Sequence, residues 1–143
     1  ANHSPFNLQS GLLVFLYLKN TNAQTGTVYT DNATFSLSSG TKKADFIKNE
    51  LGIDDEDIIS AVRYHTTGRA DMSLSEKILF IADFISADRV YDDVDIVREL
   101  AQKSLDETML YTQRYSINEL LQKGACIHPD SVACYNELLL TEG

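Results

Sequence analysis

The chain has 143 residues, 43% of them apolar, enough for one domain with a real hydrophobic core. Twenty-one acidic side chains against twelve basic ones give a net charge of −9, which argues against a nucleic-acid polymer or an anionic membrane as partner, since both need clustered Lys and Arg. A small phosphorylated ligand needs only a few local cations, and Arg63, Arg69, Lys77 and Arg89 fall within one short stretch.

Residues 1–39 read as an atypical segment. Up to Gly40 only Lys19 and Asp31 are charged, among many Asn, Thr and Ser. The apolar run Leu12–Leu18 suits a buried strand or a short helix and is too short to span a bilayer. Thr27–Thr30 and Ala33–Leu37 read as short strands between turns. No basic stretch precedes the apolar run, so no signal peptide is expected, and an initial Ala1 fits a trimmed chain or a fragment.

Residues 40–143 read as helix after helix. Thr41 suits the cap of a helix through Leu51, with Gly52 just beyond its end. Asp54 or Asp55 caps the next, where Ile58, Ile59 and Val62 recur at helical spacing up to His65. The run Asp54–Asp57 lacks the alternation and glycine of a calcium loop and fits a helix N-terminus. Ser73 opens a third helix, with Glu76 as capping-box partner and Leu74, Ile78, Ile81, Ala82 and Ile85 as its buried face. Val94 to Lys123 reads as two helices or one broken helix ending at Gly124. Pro129 starts the last, with Val132, Ala133, Tyr135, Leu138 and Leu139 as its inner face. Cys126 and Cys134, eight apart with no CxxC motif, read as free thiols of a reducing, cytoplasmic setting rather than as a disulfide.

Two residues stand out chemically. His65 sits where a helix gives way to Thr66-Thr67-Gly68, so it is either a metal ligand or a C-terminal cap. Asp83 is the one polar side chain of Ile78–Ile85, and a buried carboxylate needs a metal, or a cation such as Arg89 or Lys77, unless it lies on an exposed face. Lys77 and Arg89 flank Asp83 at six residues on either side, suited to phosphate oxygens or else to surface pairs with Glu76, Asp88, Asp92 or Asp93. His128, before Pro129, reads as a helix-entry residue, and His3 as part of a polar tail.

Several strings together resemble the YqeK family of HD-domain hydrolases: Glu50–Ile58, Tyr64-His65-Thr66-Thr67-Gly68-Arg69, Met72–Ile78, Ala82-Asp83-Phe84-Ile85, Arg89, and Ile127-His128-Pro129-Asp130 with Tyr135-Asn136. The similarity runs from about Gly40 to Leu140. It implies an all-α HD-domain helical bundle, truncated here, that splits symmetrical dinucleoside tetraphosphates, diadenosine tetraphosphate giving two ADP. It also implies a two-metal centre of iron, or of manganese, to which His65 and Asp83 would contribute. By the same resemblance Asp83 and Lys77 are expected to be catalytic, and Thr66, Thr67, Gly68, Arg69, Lys77 and Arg89 to hold the polyphosphate. The partner is then a dinucleoside polyphosphate, and a homodimer is compatible.

The chain departs from the family pattern in four places. It contains no His-Asp dipeptide, and the family's first helix histidine is absent. Ser39 stands where another histidine ligand is expected, and Ser86-Ala87 where a glutamate and a proline are usual. One imidazole and one carboxylate do not make a two-metal site. Either residues 1–39 are unrelated sequence joined to part of an enzyme, or the chain is an inactive nucleotide-binding or helical interaction module on the same scaffold.

Overall fold

A computed structural model describes residues 39–142. The segment 1–39 with its expected strands, the run Leu12–Leu18 and His3 therefore lies, but for the first helical residue Ser39, outside the described residues. Within them the chain is all-helical: α1 (Ser39–Asn49), α2 (Glu56–Arg63), α3 (Leu74–Ile85), α4 (Val94–Ala101), α5 (Leu105–Gln122) and α6 (Pro129–Glu142).

Local signals set most of the boundaries. The Asp55 side chain accepts from the amides of Asp57 and Ile58 at the start of α2. At α3 the capping box is complete: the Ser73 hydroxyl accepts from the Glu76 amide, and the Glu76 carboxylate accepts from the Ser73 amide at 2.8 Å. The stretch from Val94 resolves into two helices, broken where Ser104 caps α5. His128 serves as an entry residue, its Nδ1 accepting from the Asp130 amide at 3.0 Å. Helix α1 starts at Ser39, so Thr41 lies inside the helix rather than at its cap.

Two apolar clusters form the core. Ala44 and Ile47 of α1 meet Ile58, Ile59, Ala61 and Val62 of α2 and Leu79 of α3. Phe80 and Ile81 of α3 meet Met72, Met109 of α5, and Cys134 and Leu138 of α6. Helix α3 is thus covered on two sides, which corrects the single buried face expected for it. Leu74 is 58% exposed, whereas Ser75 and Glu76 are buried beside Leu79, Phe80 and Ile81. In α6 the buried positions are Ser131, Cys134 and Leu138, while Val132, Ala133 and Leu139 face outward. Small residues at 131 and 134 let α6 lie close against the turn that follows α2.

Gly40 makes the first packing contact of the chain order. A Cβ on it would stand 2.0 Å from the Arg63 carbonyl oxygen, so α1 rests directly on the C-terminal end of α2. This contact places α1 beside the residues leading into His65.

Candidate functional site

The turn after α2 is built to hold His65 in place. The Thr67 carbonyl accepts from Gln113 Nε2 of α5 and from the Ser131 hydroxyl of α6, both at 2.8 Å. Gly68 has φ of +69°, and a Cβ there would meet Gln113 Nε2 at 2.3 Å and Cys134 Sγ at 3.0 Å. His65, buried at the end of this clamp, is fixed through Nδ1 on the Val62 carbonyl. A carbonyl only accepts, so Nδ1 carries the proton and Nε2 keeps its lone pair. Burial is the main cause that holds the His65 pKa below its usual value; the Val62 carbonyl and the Asp83 charge oppose it, and Lys43 and Arg89 add to it. The imidazole is neutral at pH 7.

Asp83 lies on α3, and Arg89 Nη2 donates to its Oδ2 at 2.9 Å while Arg89 Nε donates to its backbone carbonyl, also at 2.9 Å. Of the partners open to Asp83 from sequence, the arginine is the one it takes. His65, Thr66, Asp83 and Arg89 line one cavity of about 350 Å³. Phe84, Tyr91 and Tyr115 form its aromatic side, with the Tyr91 and Tyr115 rings 5.3 Å apart and the Tyr91 hydroxyl on the Phe84 carbonyl at 2.8 Å. Glu119 stands on its wall, 3.5 Å from Lys123.

Four expected residues lie elsewhere. Lys77 does not line this cavity: its ammonium donates to Asp106 of α5 at 2.7 Å. Six residues turn a helix by about 600°, leaving about 120° between Lys77 and Asp83, too much for a shared face. Arg69 is taken by the scaffold, bidentate on the buried Glu76 at 2.7 and 3.0 Å with its guanidinium 4.6 Å from the Tyr64 ring centre. Thr67 and Gly68 face α5 and α6 in the clamp just described. Sequence reasoning missed the aromatic side, which comes from three separate elements, and it missed Lys43. That lysine is only 8% exposed on α1 and lies within electrostatic reach of Asp83 and His65.

The donor set decides how well a metal fits. His65 Nε2 suits a divalent ion, and Asp83 supplies a carboxylate, although Arg89 already binds it. Among the described residues no group of three or more His, Cys, Asp or Glu side chains comes together to hold an ion. By themselves these residues do not fit a two-metal centre.

No family model matches the sequence. The symmetrical bis(5'-nucleosyl)-tetraphosphatase of Halalkalibacterium halodurans is 43% identical over 97 residues, 68% of this chain and 52% of that protein. Proteins of the same name from Bacillus subtilis and Staphylococcus aureus are each 38% identical, over 65% of this chain and 50% and 49% of their own lengths. A crystal structure from Clostridium acetobutylicum, described as a predicted HD superfamily hydrolase involved in NAD metabolism, superposes with a TM-score of 0.73 at 31% identity. That match covers 89% of this chain and 68% of the other. Fold and likeness together thus place the chain in the helical HD superfamily class. The chain spans about half the length of the curated relatives it matches. Within the class, it belongs to the YqeK family of HD-domain hydrolases.

Proposed function

We propose that this chain is part of a phosphoric anhydride hydrolase of symmetrical dinucleoside tetraphosphates, water splitting the central anhydride of diadenosine tetraphosphate to leave two ADP. The observation that carries this reading is the convergence of neutral His65, Asp83 and Arg89 on one cavity with an aromatic side. Arg89 suits phosphate oxygens, being a planar donor that never loses its charge. The Phe84, Tyr91 and Tyr115 side suits the flat face of a nucleobase. Thr66 adds a hydroxyl at the same wall.

Iron or manganese belongs to this proposal only as a donor count. His65 Nε2 and Asp83 would be the contribution of these residues, and the other donors would have to come from outside the described ones. A bound metal of this kind would lower the pKa of water toward neutrality. A cytoplasmic, reducing setting is part of the same reading and accords with two free thiols, Cys126 exposed and Cys134 buried. Among the described residues no helix is long and apolar enough to cross a membrane. A second reading, a nucleotide-binding module without turnover, is favoured by the shortage of donors.

The test is chromatography of nucleotides after incubation of the full chain with diadenosine tetraphosphate and iron or manganese, with metal counted per chain on the same sample. ADP as the sole product, lost in His65→Ala and Asp83→Asn, is the expected result. ATP with AMP would refute symmetrical cleavage, and binding without any product would leave the second reading.

A further inference from the structure

We infer that Arg98 of α4 is a positioning residue for the cavity of His65, Asp83 and Arg89. Its guanidinium fastens the end of α3 and so fixes the stretch that carries Arg89 and Tyr91. The inference rests on the reading of that cavity as a nucleotide phosphate site and concerns binding rather than turnover.

The last carbonyls of a helix have no partner within it, and they form the negative end of its dipole. Helix α3 has no basic residue in its last turn, and its cap residue Ser86, with ψ of 152°, turns the chain out of the helix. The carbonyls there are met by side chains from further along the chain. Arg89 Nε donates to the Asp83 carbonyl at 2.9 Å, and the Tyr91 hydroxyl donates to that of Phe84 at 2.8 Å. Arg98 completes the end: its Nε donates to the Ile85 carbonyl at 3.2 Å and its Nη2 to that of Ser86 at 3.0 Å. One planar guanidinium on two adjacent carbonyls fixes the direction in which the chain leaves α3. Asp95, 3.5 Å from Arg98 and 93% exposed, competes only weakly for it.

That direction matters for the stretch that follows. Among the described residues 87–90 are exposed, Val90 at 93%, so polar contacts rather than burial anchor them. Yet Arg89, Val90 and Tyr91 all line the cavity. Arg98 does not line it, and therefore acts on a ligand only through these residues. Without the hold on Ile85 and Ser86, the turn is free to carry Arg89 away from Asp83 and Tyr91 away from Tyr115.

Calorimetric titration of the full chain with ADP in the presence of manganese tests this on wild type, Arg98→Gln, Arg98→Lys, Arg89→Gln and the Arg89→Gln/Arg98→Gln double variant. Melting curves show which variants fold, and Arg98→Lys, alone and with Arg89→Gln, carries the same comparison if the glutamine variant does not. Arg98→Gln should weaken ADP binding about tenfold, and Arg98→Lys should recover only part of this, because an ammonium lacks the planar fork that spans two carbonyls. In the Arg89→Gln background the loss should shrink to about threefold or less, whereas a merely structural effect would multiply with that of Arg89. Unchanged binding by folded Arg98→Gln, full recovery by Arg98→Lys, or multiplying losses overturns the inference and leaves the phosphate site standing. A wild type that binds no ADP overturns both.

Discussion

Gly68 shows how one position can carry both a conformation and a contact. Its φ of +69° disfavours any residue with a Cβ, and Gln113 and Cys134 occupy the space a side chain would need. Gly68→Ala should destabilise the chain by about 1–3 kcal/mol in urea denaturation, and it should loosen the Thr67 clamp that seats His65. Asp83 was legible in sequence as a carboxylate that needs a metal or a cation unless it lies on an exposed face, because burial of an unpaired charge is costly. Which cation it takes was less so, since Lys77 and Arg89 lie at equal sequence distance. A turn after the helix lets Arg89 fold back onto Asp83, whereas the helix itself carries Lys77 round to Asp106. Lys43 was not legible at all: nothing in a run of ordinary helix formers distinguishes a buried lysine from a surface one.

Helix α3 shows the element scale, where cap chemistry and packing come together. Glu76 is 1% exposed, yet it closes the capping box with Ser73 and takes both arms of Arg69. Burial works to raise its pKa, but the Arg69 and Ser73 hydrogen bonds outweigh this and hold the carboxyl below its ordinary 4.5. For a depressed carboxyl the stabilisation is full above the unfolded value and is lost as pH falls through the folded one. Acid titration of stability should therefore show a falling limb below pH 4.5 that is reduced in Glu76→Gln. At neutral pH the same change should cost about 1–3 kcal/mol, because Arg69 loses an ionised partner but remains about a third exposed. The capping box itself was readable from Ser73 and Glu76, since it needs only residues three apart. The buried faces of α3 and α6 were not, because a periodic template assumes one covered side. Helix α3 has two, and α6 buries Ser131 and Cys134 beside Leu138 while Val132 and Leu139 stay outside.

Among the described residues, two apolar clusters are joined by one helix. Leu79 belongs to the α1–α2 cluster, while Phe80 and Ile81, its neighbours in sequence, belong to the α5–α6 cluster. Leu79→Ala should remove about 2–5 kcal/mol and should do so unevenly. Hydrogen exchange is expected to show loss of protection in α1 and α2 with α5 and α6 much less affected; equal loss throughout would mean the two clusters act as one cooperative unit. The candidate site lies where these parts meet, since His65 follows α2, Asp83 lies in the last turn of α3 and Tyr115 comes from α5.

By itself the sequence determined the all-helical class, the starts of α2, α3, α4 and α6, and the family, and it marked Asp83 as a carboxylate that needs a metal or a cation unless exposed. All of these depend on residues close along the chain: a hydroxyl three positions from an amide, a repeat near 3.6, a charge within an apolar run, a short string of characters. Only the tertiary structure decided that Arg69 and Lys77 serve the scaffold, that Thr67 and Gly68 form a clamp, that Lys43 is buried, and that three aromatic rings line one cavity with His65 and Asp83. Those outcomes depend on which helices touch, and contact between distant segments is set by packing the whole core rather than by any stretch of it.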